Sequence, residues 1–311
     1  MLRHILLAAS GSARARQLVS SAPVARGIVA RYVAGESAAD AVAVSRDLID
    51  AGLLVSLDYL GEDTTDPDQA AAVTAEYCGV LRQLAAAGLS RGGRAEVSVK
   101  PSAVGLGLPE HGRKTAAENI ARICAAARDA GTTVTVDAED HTTVADTQAL
   151  VADLRQDFPD LGCVVQAALR RTAADCAALA RRGSRVRLCK GAYDSPADAA
   201  YPDRRDVDRS YARCLRVLMD GPGYPMIATH DPRLTRIAAA QAVLARRAPD
   251  SFEYQMLYGV RPAEQQRLAA TGARVRVYLP YGQDWYAYLV RRLAERPANV
   301  AFFLRSLASS R

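Results

Sequence analysis

Eight short runs rich in β-forming residues recur along this chain of 311 residues, and each is followed by a longer segment with helical spacing. The runs span residues 53–60, 95–102, 132–140, 162–169, 185–193, 224–231, 252–259 and 274–282. Regular alternation of strand and helix is typical of parallel sheets, because parallel strands need a long crossover between them. Eight such units predict an α/β fold in which the strands close into a (β/α)8 TIM-type barrel. An open, doubly wound sheet is the alternative, but the strand count and the even spacing favour the barrel.

The segment before the first predicted strand carries apolar residues at helical spacing. We therefore predict an N-terminal helical arm over residues 1–52 and a catalytic barrel over residues 53–311. The first 35 residues contain five arginines and no acidic residue, which also fits a transit peptide. The helical pattern continues without a cleavage-like break, and this favours the arm.

Composition excludes several classes of protein. The net charge is +6, but the cationic residues are scattered and only 6% of the chain is aromatic, so no nucleic-acid surface is predicted. No apolar window reaches the length of about 18 residues that a membrane span needs, although mild attraction to an acidic membrane surface is compatible with the charge. The six cysteines and four histidines form no metal-ligand pattern, which predicts reduced, buried thiols and no metal site.

Lysine is rare in this sequence. Of 40 cationic residues only Lys100, Lys114 and Lys190 are lysines. A lysine retained against such a bias is a candidate for a role that needs a compact ammonium group, which arginine cannot supply. Lys100 and Lys190 both lie near the ends of predicted strands.

Polar side chains follow most of the predicted strands. In a (β/α)8 barrel the active site lies at the carboxyl ends of the strands, so side chains at those ends point toward one cavity. The residues concerned are Lys100, Asp137, Glu139, Gln166, Arg187, Lys190, Gly191, Ala192, Tyr193, Thr229, His230, Gln255 and Tyr278. Each alone has a structural explanation, such as a helix cap or a solvated rim, and their convergence favours a shared site. Arg185 and Arg187 share one face of the fifth strand, where a buried guanidinium needs an anionic partner.

The helix predicted after the eighth strand places three further groups on one face. Tyr288, Arg291 and Arg292 follow the i, i+3, i+4 pattern, and Glu295 is positioned to hold one of the guanidiniums. Two arginines beside a tyrosine predict a clamp for a carboxylate, because guanidinium groups bind carboxylates in a bidentate manner. A surface salt-bridge patch is the alternative. No dinucleotide-binding G-x-G-x-x-G pattern or P-loop is present, so a nucleotide cofactor would be held by the barrel rim.

These motifs together resemble those of a known family. "SVKPS", "VDAED", "VVQAAL", "RLCKGAY", "ATHD", "EYQML", "YLPYG" and "YAYLVRRLAE" occur in order on consecutive predicted strands and the final helix. Over roughly residues 25–311 the chain is similar to the proline dehydrogenase family in its small, monofunctional bacterial form. "RLCKGAY" and "YLVRRLAE" in this order are specific, whereas the other motifs are weak singly.

The resemblance implies an activity and its partners. Members of this family are barrels that bind FAD non-covalently and oxidise L-proline to Δ1-pyrroline-5-carboxylate by hydride transfer to flavin N5. This reaction is the first step of proline catabolism to glutamate, and the electrons pass to a quinone. The resemblance therefore implies an FAD-dependent oxidoreductase without a metal, located in the cytoplasm with peripheral contact at the inner face of the membrane.

The resemblance also assigns roles to residues. As catalytic residues it implies Asp137 and Arg187, and as substrate-binding residues Lys100, Leu257, Tyr278, Tyr288, Arg291 and Arg292. As flavin contacts it implies Val136, Gln166, Arg187, Lys190, Gly191, Ala192, Tyr193, Thr229, His230 and Gln255. We further expect Asp137 to pair with Lys100 and so to order the rim.

Three positions depart from the family pattern, and two other functions stay open. Asp194 stands where the large bifunctional relatives carry tryptophan, Asp231 stands in place of asparagine, and Met256 stands in place of an arginine. These changes bear on contacts to the adenine side of the flavin and on its redox tuning. The first alternative function is a Schiff-base aldolase barrel that uses Lys100 or Lys190. The second is a barrel that binds a carboxylate without catalysis.

Overall fold

Eight parallel strands form a closed barrel in which each strand pairs with its neighbours in sequence and the last pairs with the first. The computed structural model describes residues 23–62 and 64–294. The strands are β1 (Leu54–Tyr59), β2 (Ala95–Val99), β3 (Val134–Val136), β4 (Gly162–Gln166), β5 (Arg185–Cys189), β6 (Tyr224–Ala228), β7 (Glu253–Leu257) and β8 (Val275–Tyr281). The predicted (β/α)8 barrel is confirmed. Each strand lies inside its predicted run and is shorter, because the polar ends of the runs belong to the loops of the rim.

Helices surround the barrel. They are α1 (Pro23–Tyr32), α2 (Ala38–Asp50), α3 (Pro67–Ala86), α4 (Gly112–Asp129), α5 (Val144–Leu154), α6 (Thr172–Leu179), α7 (Arg204–Asp220), α8 (Pro232–Leu244), α9 (Pro262–Ala270) and α10 (Trp285–Ala294), with short 3₁₀ helices at Arg91–Gly93 and Pro101–Val104. Several begin at a capping side chain: Asp66, Asp203 and Asp231 accept hydrogen bonds from backbone N–H groups of α3, α7 and α8. In residues 23–62 and 64–294 no helix has both the length and the apolarity needed to cross a bilayer.

The described part of the predicted arm, residues 23–52, packs near β8 and α10. Residues 1–22 are outside the described residues, and the division of the chain at residue 52 stays a prediction. Helix α2 packs on β1, β8 and α3, and α1 packs on α10. The Ala34 N–H donates to Pro280 O (2.9 Å), the Gly282 N–H donates to Gly35 O (3.0 Å), and Trp285 Nε1 donates to Glu36 (2.9 Å). The arm therefore holds the chain where it leaves β8 and enters α10.

The interior of the barrel is charged. Glu96 of β2 is fully buried and accepts a hydrogen bond from Arg185 (2.6 Å), and its carboxylate lies 3.8 Å from Arg276 Nε and 3.9 Å from Arg187 Nη2. Arg276 donates two hydrogen bonds, of 2.7 and 3.0 Å, to Glu253. The strand residues whose side chains point outward pack against the helices and form the apolar core. The predicted two faces of the fifth strand are confirmed, since Arg185 and Arg187 point inward whereas Val186 and Leu188 lie in that core.

The arginines control the ionisation of Glu96. Burial alone would raise the pKa of this carboxyl, but Arg185, Arg276 and Arg187 outweigh it and lower the pKa to about 2 from an ordinary value of 4.5. Because the pKa is lower in the folded chain than in the unfolded chain, the ionised form stabilises the fold above about pH 4.5. This contribution is lost as the pH falls toward 2.

We expect Glu96→Gln to lower the free energy of unfolding at pH 7 by about 3–5 kcal/mol, because it leaves buried guanidiniums without their counter-charge. Denaturant unfolding of the full chain measures this change. The difference from the unchanged protein should shrink as the pH falls from 4.5 toward 2. Glu118→Gln is the control, since it removes one side of an exposed pair with Lys114 and should have no measurable effect. Equal effects of the two substitutions would contradict the interpretation.

Candidate active site

The carboxyl ends of the strands bring together four of the predicted site residues. Lys100 donates a hydrogen bond to Asp58, and its Nζ lies 3.5 Å from the hydroxyl oxygen of Tyr278. The Tyr278 hydroxyl donates to Asp137 Oδ2 (2.8 Å), and Arg187 Nη1 donates to Asp137 Oδ1 (2.5 Å). The five side chains come from β1, β8 and the ends of β2, β3 and β5, and they form one continuous polar chain across the barrel mouth.

The expected pair between Asp137 and Lys100 is wrong. Lys100 pairs with Asp58, whereas Asp137 pairs with Arg187 and is linked to Lys100 through Tyr278. The sequence reasoning missed Asp58. A signal was present, because Asp58 follows Ser56 on the inward face of β1 and a buried lysine needs a carboxylate.

Both members of the Lys100–Asp58 pair are charged at neutral pH. Burial raises the pKa of Asp58 to about 6, although Lys100 pulls it in the opposite direction. Burial would lower the pKa of Lys100, but Asp58 and Glu62, whose carboxylate lies 3.8 Å from Nζ, outweigh this effect and raise the pKa above its ordinary value. The rim therefore holds a permanent ammonium group beside Tyr278.

Arg187 is fixed on every side. Besides Asp137 it donates hydrogen bonds to Gln255, to Ser98 Oγ (2.8 Å) and to Ser56 Oγ (3.3 Å), and its guanidinium carbon lies 5.3 Å from the ring centre of Tyr278. The side chain is buried. A guanidinium held by that many partners cannot swing away, so its positive charge is a fixed feature of the barrel mouth.

Tyr278 acts as a hydrogen-bond donor at this point. Burial and the neighbouring Asp137 and Asp58 carboxylates raise its pKa well above the ordinary value. The hydroxyl therefore keeps its proton across the physiological pH range and points it at Asp137.

The other predicted flavin contacts lie at or near the ends of β3 to β7. Gln166 Nε2 donates to Glu139 O (2.7 Å), and Lys190 donates to Asp208 (2.5 Å) and Asp231 (3.3 Å). Thr229 Oγ1 accepts from the Asp231 N–H (3.1 Å), and His230 Nε2 accepts from the Leu257 N–H (2.9 Å). These contacts fix the loops that follow β4, β5 and β6.

Three of these positions form an open surface next to Gln166. Gly191 has a φ of +96°, and a Cβ at this position would lie 3.0 Å from Gln166 Oε1. Such a backbone favours glycine, and a side chain at this position would also press on Gln166. Ala192 and Tyr193 are exposed, the latter by 42%. The side chain of Val136 lies in the apolar core, so Val136 can face the rim only through its backbone.

The predicted carboxylate clamp is described only in part. Tyr288 is buried in α10, in a cluster with Tyr32 and Trp285, and Leu257 is half-buried at the end of β7. Arg291 and Arg292 belong to α10, but their side chains, and Glu295 as a whole, lie outside the described residues. The clamp therefore stays a prediction.

Comparison with known proteins gives a consistent result. Residues 41–305 match the family model for proline dehydrogenase. The chain is 39% identical over 279 residues to the proline dehydrogenase of Deinococcus radiodurans, covering 89% of each chain. It is 35% identical over 308 residues to proline dehydrogenase 1 of Bacillus subtilis subsp. natto, covering 99% of each.

The solved structures agree in fold. Proline utilization A from Bdellovibrio bacteriovorus, inactivated by N-propargylglycine, superposes with a TM-score of 0.80 at 23% identity. The match covers 87% of this chain and 33% of that one. At this identity the likeness shows a shared barrel.

We expect Asp58→Asn to lower the pKa of Lys100, because it removes the carboxylate that contributes most to raising it while burial continues to lower it. The chain has three lysines, so ¹³C-labelled lysine gives three NMR signals that can be followed against pH. The Lys100 signal should titrate at a lower pH in the variant than in the unchanged protein.

Asp206→Asn, which removes an exposed partner of Arg209, is the matched control variant. If Lys100 titrates identically in all three proteins, Asp58 does not control its charge.

Proposed function

Because the chain belongs to the proline dehydrogenase family, as its motifs predicted, we propose that it oxidises L-proline to Δ1-pyrroline-5-carboxylate with FAD as hydride acceptor. This reaction is the first step of proline catabolism to glutamate. One observation carries the proposal: Asp58, Lys100, Tyr278, Asp137 and Arg187 form a continuous hydrogen-bonded chain at the end of the barrel where such folds place their chemistry.

One end of this chain is suited to the carboxylate of proline. Lys100 is protonated at neutral pH, and its ammonium group has three donors, of which Asp58 and Tyr278 take two. A carboxylate beside Lys100 would also be within the reach expected of Arg291 and Arg292 on α10. In this arrangement Asp58 keeps the lysine charged and directed, and the lysine and arginines hold the substrate by its acid group.

Oxidation of L-proline requires that its ring is held in a fixed orientation and that its amine is neutral. Hydride leaves the carbon next to the ring nitrogen, so a substrate anchored by its carboxylate presents that carbon in one direction. Tyr278, Leu257 and Tyr288 would cover the ring and exclude water. Tyr278 is held in place by its hydrogen bond to Asp137 and by Arg187 behind its ring.

The residues present fit a flavin. FAD supplies the hydride-accepting N5 when bound. Gly191 allows its loop to lie close to Gln166, and the exposed Ala192 and Tyr193 that follow leave this side of the loop open to a ligand. Thr229, His230 and Gln255 would line the same side. The positive charges of Arg187 and Lys190 favour a ligand that gains negative charge on reduction.

The electrostatics disfavour the aldolase alternative. A Schiff base forms from a neutral amine, but the pKa of Lys100 is raised, and Lys190 is paired with two aspartates at 2.5 and 3.3 Å. The other alternative, a barrel that binds a carboxylate without catalysis, differs from the proposed dehydrogenase only in that it does not oxidise its ligand. An optical experiment therefore separates it from a dehydrogenase.

We extend the proposal to a quinone as the electron acceptor, reached by peripheral contact with a membrane. The net charge of +6 supports this extension, because cationic proteins are attracted to anionic lipid surfaces.

We expect the purified full-length protein to be yellow and its flavin absorbance to bleach when L-proline is added without oxygen. Reduction of the bound flavin by substrate is the physical reason, and absorbance near the flavin maximum is the measurement. L-Tetrahydro-2-furoate, which offers the same carboxylate without an amine, is the control ligand and should perturb the spectrum without bleaching it. A colourless protein that takes up no FAD would overturn the proposal, and a yellow protein that proline does not reduce would favour the carboxylate-binding barrel.

We expect Arg291→Met and Arg292→Met each to weaken binding of L-tetrahydro-2-furoate by about 10- to 100-fold, because each removes a charged hydrogen-bond donor. Retention of FAD should not change. Arg267→Met, on the exposed face of α9, is the control and should alter neither property. Normal binding of the analogue in both variants would show that the clamp lies elsewhere.

A further inference from the structure

A cavity of about 580 Å³ opens at the amino end of the barrel, opposite the rim described above. Its floor is formed where strands begin: Arg185 and Tyr224 are the first residues of β5 and β6, Arg276 lies in β8, and Arg274 immediately precedes β8. The proposed proline site does not use this cavity.

The floor carries more positive than negative charge. Glu96 accepts a hydrogen bond from Arg185, and Glu253 accepts two from Arg276. Arg274 lies outside these pairs. Among the described residues the floor therefore holds three guanidiniums against two buried carboxylates.

Arg274 also has unmet hydrogen-bonding capacity. Its guanidinium lies 5.8 Å from the ring centre of Tyr224, and its Nε is buried without a hydrogen-bond partner within residues 23–62 and 64–294. A buried donor without a partner is costly and uncommon in native proteins. An anion beside Arg274 would give this guanidinium a counter-charge and draw it into hydrogen bonds.

The residues of the cavity walls indicate the shape and the charge of a suitable ligand. Phe158 and Leu161 give the cavity an apolar side, and the guanidinium of Arg128 lies 5.5 Å from the ring centre of Phe158. The exposed Asp157 and Asp160 line the same loop and would repel a ligand with several negative charges. A flat apolar body along the wall and a single negative group toward the floor satisfy both features.

We propose that this cavity is a binding site for a small organic monocarboxylate with a planar apolar body. The carboxylate lies toward Arg274 and Arg185, and the body packs beside Phe158. The inference does not depend on the proposed oxidation of proline.

Calorimetric titration with sodium benzoate tests the site. The protein is the full chain in low-chloride buffer, and comparison with Arg274→Met separates this cavity from the opposite end of the barrel. We expect a benzoate site whose affinity falls about tenfold or more in Arg274→Met, because the variant lacks the guanidinium toward which the carboxylate is directed. Arg267→Met, outside the cavity and paired with Glu264, should bind benzoate normally. Equal affinity in the unchanged protein and Arg274→Met overturns the proposal.

A second measurement separates a ligand role of Arg274 from a structural one. Since its Nε makes no hydrogen bond to the part of the chain that the structure describes, Arg274→Met should leave the melting temperature unchanged while benzoate binding is lost. Hydrogen exchange in the unchanged protein should slow in residues 128–134 and 157–161 when benzoate is added. A marked fall in melting temperature, or protection confined to the opposite rim, overturns the assignment.

Inorganic phosphate tests the ligand class. We expect phosphate to bind more weakly than benzoate, because it offers no apolar body to the wall and carries more charge past Asp157 and Asp160. Binding of phosphate with equal or higher affinity shows that the proposed class is wrong.

Discussion

The guanidinium of Arg187 connects more of this structure than any other single group we describe. From β5 it reaches Ser56 on β1, Ser98 on β2, Asp137 beyond β3 and Gln255 on β7, and it lies beneath the ring of Tyr278 from β8. Such a charge can be buried in the barrel only because these partners surround it. Closure of the barrel and assembly of the candidate site are consequently one event, since opening any of these strand pairs would leave the charge without a partner.

Charge in the interior is arranged in two layers. At the base, Glu96 and Glu253 hold Arg185 and Arg276, and at the rim Asp58 and Asp137 hold Lys100 and Arg187. Glu96 lies 3.9 Å from Arg187 and so links the two layers. The apolar packing that stabilises the fold lies outside the strands, between sheet and helices. The interior is therefore available for polar chemistry at both ends without weakening the core.

Sequence periodicity was sufficient to predict the eight strands and the rim on which polar residues converge. Two features needed three-dimensional information. The partner of Lys100 depends on how β1 and β2 are aligned, and at the paired positions Asp58 and Ser98 the alignment brings Asp58 rather than Asp137 to the ammonium group. The cavity at the base was not predicted. The sequence showed that Arg185 needs an anionic partner, but it did not identify that partner as Glu96, which lies 89 residues away. Spacing along a chain shows which face a side chain occupies but not which side chain from another strand meets it there.

The contacts between the segment after α1 and the end of β8 have a consequence for folding. Gly35 and Glu36 bind Gly282 and Trp285, so the start of α10 is seated by a segment that lies 249 residues earlier in the chain. Closing so long a loop costs chain entropy before any of these contacts can compensate for it. This side of the barrel mouth therefore takes shape only after widely separated parts of the chain have come together.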